Sequence, residues 1–258
     1  MLKNTNTTAI TVSHLKKTYG HVKAVEDVSF EVSEGEIFGM LGPNGAGKTT
    51  TVECITGLRH PDGGTISVLG HDPKSDRAAL HPIVGVQLQS STFPDKLKVG
   101  EILDMFQSFY PNPANPEELA QALGLSEKLG SYYKTLSGGQ KQRMSVALAL
   151  IGRPKVAVLD EMTTGLDPQA RRNLWELIKR IREKGTTVII TTHYMDEAEV
   201  LCDRVAIIDS GEIIALDTPD KLIDNLVATG FERPKEMKAA NLEDVFIHLT
   251  GHALRQEN

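Results

Sequence analysis

The sequence predicts an α/β fold in which a mostly parallel sheet is flanked by helices, with an N-terminal antiparallel β subdomain and a helical insertion. Short apolar stretches alternate with polar residues over the first forty positions, and three aliphatic runs are apolar at nearly every position. A region with helical periodicity lies between the first and second of these runs. The 258 residues are enough to bury a sizeable core, in one large domain or two small ones.

The N-terminal stretches at residues 10–12, 25–28 and 30–32 are short, apolar and separated by polar or turn-forming residues. The segment Ser33-Glu34-Gly35-Glu36 has turn chemistry. This spacing predicts antiparallel strands.

The three aliphatic runs cover residues 37–41, 156–159 and 187–190. Strands that are buried on both faces are apolar at every position, which is typical of parallel sheets covered by helices. The runs therefore predict the core strands of the α/β sheet.

The helical region extends from about residue 101 to 151 and is broken at Pro111-Asn112-Pro113 and at Gly152-Arg153-Pro154. It predicts a helical insertion within the α/β core. Further along, residues 205–208 and 213–216 flank a turn at 209–212, which predicts a hairpin.

Composition excludes several broad classes. The chain has 28 Lys and Arg against 34 Asp and Glu, a net charge of −6, which argues weakly against binding to nucleic acid. It has no apolar run of about 18 to 20 residues and no secretory signal at its start. Its two cysteines, Cys54 and Cys202, predict buried thiols in a reducing cytoplasm rather than a disulfide framework.

The segment GPNGAGKT at residues 42–49 directly follows the first buried run and matches the phosphate-loop pattern. Glycines let the backbone wrap around an anion, and the amides at the start of the next helix point at it. Lys48 would hold the β- and γ-phosphates, the Thr49 hydroxyl would bind Mg²⁺, and Thr50 would add a phosphate contact. A glycine-rich turn that only joins strand to helix needs neither the lysine nor the hydroxyl. The predicted nucleotide-binding loop comprises Gly42, Pro43, Asn44, Gly45, Ala46, Gly47, Lys48, Thr49 and Thr50.

Two adjacent carboxylates, Asp160 and Glu161, close the second buried run. Neighbouring residues on a strand face opposite ways, so we expect different roles for them. Asp160 would reach Mg²⁺, directly or through water, and Glu161 would be the base or positioner for an attacking water. The alternative is a pair of solvated acids at a strand end.

A second motif, Leu136-Ser137-Gly138-Gly139-Gln140, precedes a helical segment, and the chain lacks the Asn/Thr-Lys-x-Asp motif that reads guanine. On these residues the chain resembles the ATP-binding-cassette (ABC) ATPases. The resemblance covers nearly the whole chain, with the motifs in the family's order.

The resemblance assigns further site residues. Tyr19 is similar to the aromatic that stacks on adenine, and Asp167 to the aspartate of the dimer-contacting loop. His193 is similar to the switch histidine that contacts the γ-phosphate. Gln89 is similar to the glutamine that joins the core to the helical subdomain, with catalytic and magnesium-binding roles, although Gln87 competes for that assignment.

The family pattern implies one ATP-binding domain over residues 1–235, with a helical subdomain inserted at about 90–152, and a short C-terminal helical appendage at 236–258. It implies ATP and Mg²⁺ as cofactors. The chain departs from the pattern at Met162, where the family commonly has proline, and this departure would loosen the loop slightly.

The resemblance also implies partners. The signature, Leu136 to Gln140, would act in trans on a nucleotide held by a second copy or by a homologous ATPase subunit, and separate transmembrane permease subunits would carry the substrate. Residues 191–199 and 242–251 resemble the exporter-associated ATPases of bacteria, although the spacing of the terminal segment also fits simple core packing. We expect a cytoplasmic protein, peripheral on the inner face of the cell membrane, with no nucleic-acid partner. The alternative is a soluble ABC ATPase acting on the ribosome or DNA.

Overall fold

The computed structural model describes residues 7–87, 93–231, 245, 248 and 249. They divide into two compact units, one within Met1–Lys74 and Thr191–Asn258, the other within Ser75–Ile190. The appendage predicted at 236–258 lies outside the described residues except at 245, 248 and 249. The single ATP-binding domain over 1–235 stays a prediction.

The elements alternate along the chain in the manner of an α/β protein. The strands are β1 (Thr8–Tyr19), β2 (Val22–Ser33), β3 (Ile37–Leu41), β4 (Gly63–Val68), β5 (Val84–Gln87), β6 (Val156–Asp160), β7 (Thr187–Thr192), β8 (Arg204–Asp209) and β9 (Glu212–Asp217). The α-helices are α1 (Lys48–Ile55), α2 (Arg77–Leu80), α3 (Val99–Gln107), α4 (Pro116–Ala122), α5 (Gly138–Leu150), α6 (Pro168–Glu183), α7 (Met195–Leu201) and α8 (Pro219–Ala228). Short 3-10 helices occur at Ser126–Lys128 and Tyr133–Thr135.

In the first unit the strand order is β4-β1-β2-β9-β8-β3. The antiparallel pairing of β1 with β2 confirms the N-terminal prediction, with the stretches at 25–28 and 30–32 joined in one strand. The β8–β9 hairpin is also confirmed. Strand β3, buried at every position, runs parallel to β8.

The helices of the first unit cover these strands. Helix α1 packs against β1, β2 and β4, α7 packs against β3, and α8 packs against β9 and α7. Helix α8 begins with Pro219 at its first position and Thr218 as its N-cap, whose hydroxyl accepts from the Lys221 N–H. This start can be recognised from the Thr-Pro pair alone.

In the second unit β7, β6 and β5 are successive neighbours, and β5 runs parallel to β6. Every residue of β6 and β7 is buried, as the aliphatic runs predict. Helix α5 packs against β5 and β6. Its backbone comes so close that a Cβ at Gly85 would lie 1.9 Å from the Ala149 carbonyl oxygen, so only glycine fits at this position of β5.

The predicted helical insertion is present in this unit as α3, α4 and α5, which contact one another. It ends in the Gly152-Arg153-Pro154 loop that leads into β6. Helix α6 follows and buries one face, made of Ala170, Leu174, Leu177 and Ile178 at helical spacing. None of the helices in the described ranges is both long and apolar enough to cross a membrane.

Candidate active site

The phosphate loop joins β3 to α1 in the first unit. Gly47, the N-cap of α1, has a φ of +105°, and a Cβ there would lie 2.3 Å from the Ala24 carbonyl oxygen. A Cβ at Gly42 would lie 2.2 Å from the Ile208 carbonyl oxygen. Both glycines are therefore required by close backbone approach, as the sequence pattern predicts.

Lys48 is only 4% exposed and folds back along its own loop. Its Nζ donates to the Gly42 carbonyl at 2.7 Å and to the Pro43 carbonyl at 3.0 Å. The Asn44 and Gly45 positions of the loop are exposed. A cation beside the amide-bearing N-terminus of a helix favours an anion, so the loop is chemically suited to hold phosphate.

The hydroxyl residues Thr49 and Thr50 lie in the first turn of α1, and both are half-buried. They therefore occupy the same helix start as Lys48. This placement leaves them near the anion-binding end of the helix, as the pattern predicts.

Tyr19 ends β1, the strand against which α1 packs, and its side chain is 38% exposed. Two cations lie over its ring: Lys17 Nζ is 5.6 Å from the ring centroid and Arg59 Cζ is 5.3 Å from it. Arg59 is paired with Glu53, and Lys17 with Asp62. Sequence reasoning missed Arg59 because it is forty positions from Tyr19 in the sequence.

His193 directly follows β7 and is half-buried. Its ring centroid lies 4.2 Å from that of Tyr194, with the planes inclined by 39°. The Tyr194 N–H donates to the Thr192 Oγ1 at 2.9 Å, which turns the chain into α7. The histidine thus sits at the carboxyl end of a buried strand, where ligands of α/β sheets commonly bind.

Asp160 is the last residue of β6 and is fully buried, whereas Glu161 is half-buried and has a φ of +49°. The sequence predicts that the Asp160 and Glu161 side chains point to opposite faces of one strand. This is wrong for Glu161, because β6 ends at Asp160. A left-handed conformation is unfavourable for a residue with a side chain, so the surrounding structure must hold it.

Two buried or half-buried amides provide that support. Gln87 Nε2 donates to the Asp160 carbonyl at 3.1 Å, and Gln142 Nε2 donates to the Glu161 carbonyl at 2.9 Å. Gln87 is fully buried on β5, and the choice between Gln87 and Gln89 as the family's glutamine stays a prediction. Gln89 lies in the segment 88–92, outside the described residues, and its roles stay predictions.

Met162 is fully buried, so a packed side chain occupies the position where proline is usual. The loop after it is closed by two turns. The Thr164 N–H donates to the Glu161 carbonyl at 3.2 Å, and the Leu166 N–H to the Thr163 carbonyl at 3.1 Å. These bonds restrain the loop where a proline would restrain it covalently.

The signature starts α5 in the second unit. Leu136 is buried, and Ser137 is the N-cap of the helix, with Gly138 and Gly139 at its first positions. A Cβ at Gly139 would lie 2.9 Å from the Gly165 carbonyl oxygen, whereas a Cβ at Gly138 would meet no atom within 4 Å. Gly139 is thus required by packing, and Gly138 faces open space.

A concave surface of about 500 Å³ connects the signature with the dimer loop. It is lined by Ser137, Gly138, Gly139, Arg143, Thr164, Gly165, Leu166 and Asp167. The structure therefore brings the signature residues and Asp167 together, as two parts of one surface.

Asp167 is also the N-cap of α6. Its Oδ1 accepts from the Ala170 N–H at 2.9 Å and from the Gln169 N–H at 3.0 Å, and these bonds, the Ala170 bond foremost, lower the pKa of the carboxyl. Arg143, which sequence reasoning missed, donates to the Leu123 carbonyl at 2.8 Å and to the Gly139 carbonyl at 3.3 Å. Arg143 thereby links the first turn of α5 to the end of α4.

The donor set fits Mg²⁺ bound with nucleotide. Mg²⁺ usually takes one or two protein oxygens and completes its shell with phosphates and waters, so the Thr49 hydroxyl at the start of α1 is a donor of the right kind. Over the described ranges no three or more His, Cys, Asp or Glu side chains group into a metal-binding cluster. Cys54 and Cys202 are free and buried, and burial raises the pKa of the Cys54 thiol to about 11.

Comparisons with known proteins agree with this geometry. The family model described as ABC transporter matches residues 25–164. The chain is 42% identical over 217 residues to the Nod factor export ATP-binding protein I of Burkholderia orbicola, covering 82% of this chain and 71% of the relative. It is 38% identical over 218 residues to the linearmycin resistance ATP-binding protein LnrL of Bacillus subtilis, covering 83% of this chain and 70% of the relative.

Solved structures are similar as well. The ATP-binding subunit of an ABC transporter superposes with a TM-score of 0.82 at 28% identity, covering 94% of this chain and 99% of the other. A dimeric, post-hydrolysis ATP-binding cassette with bound ADP and Pi gives a TM-score of 0.73 at 25% identity, covering 81% and 98%. These findings confirm the α/β fold, and the chain belongs to the ABC transporter family as an ATP-binding, ATP-hydrolysing cassette.

Proposed function

We propose that this chain powers an exporter: two ATPase subunits close head-to-tail around ATP, and their closure and opening drive separate membrane subunits. The observation that carries the proposal is the concave surface at the N-terminus of α5, where the signature and Asp167 lie together. A helix N-terminus with a serine hydroxyl is suited to bind a phosphate. That phosphate would belong to a nucleotide held by a second copy or by a homologous ATPase subunit.

Nucleotide binding is assigned to the phosphate loop and Tyr19, with further Mg²⁺ ligands elsewhere in the chain. Lys48, at the start of α1, would exchange its carbonyl partners for the β- and γ-phosphates, and Tyr19 would stack on adenine. Thr49, Asp160 and Gln89 would hold Mg²⁺, which supplies charge neutralisation for the phosphates when bound.

Hydrolysis is assigned to Glu161 and His193. Glu161 would orient and deprotonate the attacking water, because its half-buried carboxylate follows the buried Asp160 in a turn with fixed geometry. Strained backbone conformations cluster at functional sites, where they hold a group in position. His193 would contact the γ-phosphate from the end of β7.

Coupling to export rests on the relatives and on the helical insertion. The relatives are named for Nod factor export and for linearmycin resistance, which favours an exporter, with this chain peripheral on the inner face of the membrane. Exposed apolar side chains occur on and just after α3, where Met105 is 40% and Phe109 66% exposed. Phe106 packs between Phe93 and Phe109. This aromatic surface is suited to a membrane-protein partner.

Mixing two inactive variants tests the shared site. Lys48→Ala removes the phosphate contact, and Gly138→Asp places a carboxylate at the signature, where a Cβ would meet no atom within 4 Å. Each pure dimer has two damaged sites. The mixed dimer has one intact site, with the loop from one chain and the signature from the other, so hydrolysis should return toward half of the wild-type rate per dimer.

The matched control replaces Gly138→Asp by Gly138→Ser, which keeps a small neutral side chain in the same open space. Gly138→Ser alone should keep most of its activity. ATP-dependent association of the mixed pair is measured by light scattering. If the mixture shows neither hydrolysis nor association, the shared site is wrong.

A further inference from the structure

The second unit contains a cleft of about 980 Å³ that no part of the ATPase site uses. It is formed by α4, the end of α5, the Arg153–Lys155 loop and the C-terminal half of α6. Its floor is apolar, because Leu119, Leu150 and Leu177 line it and are all buried. It is therefore a formed apolar depression and not a gap between polar loops.

The charged side chains that line the cleft are mostly of one sign. Four cations, Arg153, Lys155, Arg180 and Lys184, line the cleft together with one carboxylate, Glu118. The whole chain, by contrast, carries a net charge of −6. The lining of the cleft, its rim, is therefore positively charged although the protein as a whole is negatively charged.

The four cations carry charge of the same sign, and among the described residues none of them takes part in an ion pair. Arg153 also has a left-handed backbone, with a φ of +49°, which is unfavourable for a residue with a side chain. A bound anion would offset the mutual repulsion of the rim. The apolar floor would at the same time accept a hydrocarbon body.

We propose that this cleft binds a small amphipathic organic anion, with its apolar body on the leucine floor and its charged group among the four cations. Small-molecule sites are mostly apolar clefts of about 300 to 1,000 Å³ with a few polar groups that orient the ligand, and this cleft lies at the upper end of that range. An inorganic anion would leave the floor uncovered. An uncharged lipid would leave the cations unpaired.

Decyl phosphate, used below its micelle concentration, is a suitable probe because it combines both features. Isothermal titration calorimetry should show saturable binding of decyl phosphate to the wild-type chain, with decanol and inorganic phosphate each binding at least about tenfold more weakly. The double variant Arg180→Gln/Lys184→Gln should weaken decyl phosphate binding by about tenfold or more. Its control, Lys134→Gln/Arg172→Gln, removes two exposed cations of the same unit that do not line the cleft.

A second pair of variants tests whether the ligand occupies the volume of the cleft, without changing the charge of its cations. Ala122 lines the cleft and is half-buried, so Ala122→Phe should fill it and abolish binding with all four cations in place. Ala78→Phe, on an exposed position of α2, is the control and should bind like wild type. Thermal unfolding confirms that each variant is folded, and ATP hydrolysis is measured separately because the proposal does not depend on it.

Three outcomes would overturn the proposal. Equal binding of inorganic phosphate and decyl phosphate, with Ala122→Phe unaffected, would show a superficial anion site only. Equal binding of decanol would show that the cations take no part. Absence of saturable decyl phosphate binding to the folded wild-type chain would show that the cleft holds no such ligand.

Discussion

Ser137 and Gln140 cap each other at the first turn of α5. The Ser137 Oγ accepts from the Gln140 N–H at 3.3 Å, and the Gln140 Oε1 accepts from the Ser137 N–H at 2.9 Å. This reciprocal capping box uses the hydroxyl of Ser137 only as an acceptor. A hydroxyl has one donor and two acceptor positions, so the proton of Ser137 stays available for an anion at the concave surface. One side chain can thus stabilise the helix and contact a nucleotide.

The two roles of Ser137 can be separated by substitution. Ser137→Ala removes both, and it should lower the free energy of unfolding by about 1 kcal/mol and abolish ATP-driven dimer formation. Ser137→Asp keeps a capping oxygen but loses the hydroxyl proton, so we expect near wild-type stability with the dimer still lost. Chemical denaturation and light scattering in Mg-ATP measure the two effects. Wild-type hydrolysis by Ser137→Asp would show that the hydroxyl has no role at the nucleotide.

Lys48→Ala should weaken ATP binding by about ten- to a hundredfold, since charge-assisted hydrogen bonds contribute about 1.5 to 3 kcal/mol. Turnover should be lost with it. The matched control is Lys16→Ala, which removes the same charge from an exposed position on β1. Binding of a fluorescent ATP analogue and phosphate release measure the two quantities. Equal losses in both variants would indicate a general charge effect rather than a phosphate contact.

Glu161→Gln should bind ATP as tightly as the wild type while its turnover falls by about 10² to 10⁴, the usual contribution of a general base. The substitution keeps the shape of the side chain and leaves the Gln142 bond to the backbone carbonyl unchanged. Because its ATP is not hydrolysed, Glu161→Gln should then accumulate as an ATP-bound dimer, which size-exclusion chromatography would detect. Glu183→Gln, at the exposed end of α6, is the control. Wild-type turnover by Glu161→Gln would rule out this glutamate as the base.

Tyr19→Ala should weaken ATP binding by about tenfold or more, because loss of an aromatic partner costs a stacked base about 1 to 3 kcal/mol. Tyr19→Phe keeps the ring beneath Lys17 and Arg59 and should bind ATP like wild type. Tyr132→Ala, at another exposed tyrosine, controls for the loss of surface aromatic area. If all these proteins bound ATP with equal affinity, Tyr19 would not be the residue that stacks on adenine.

Much of the fold follows from local patterns. The aliphatic runs at 37–41, 156–159 and 187–190 predict β3, β6 and β7 because a strand buried on both faces has no polar position. The glycines of the phosphate loop are likewise predictable, since the loop requires backbone approach that a Cβ would prevent. The parallel contact of β2 with β9 at Asp27 and Glu212 had no such signal, because those residues are far apart in the sequence.

By itself the sequence determined most of the strands, but not β4 or β5, together with the phosphate loop and the signature helix start, because each of these depends on residues within a few positions of one another. The family followed from the order of such motifs along the chain. Only the tertiary structure decided how Glu161 is held, because Gln142 is 19 positions away from it, and Gln87 is 73 positions from the Asp160 carbonyl it contacts. A side-chain amide can reach any carbonyl that the fold brings near. The cleft beside α6 is also a product of tertiary structure, because packing brings its four cations and its leucines together from separate parts of the sequence.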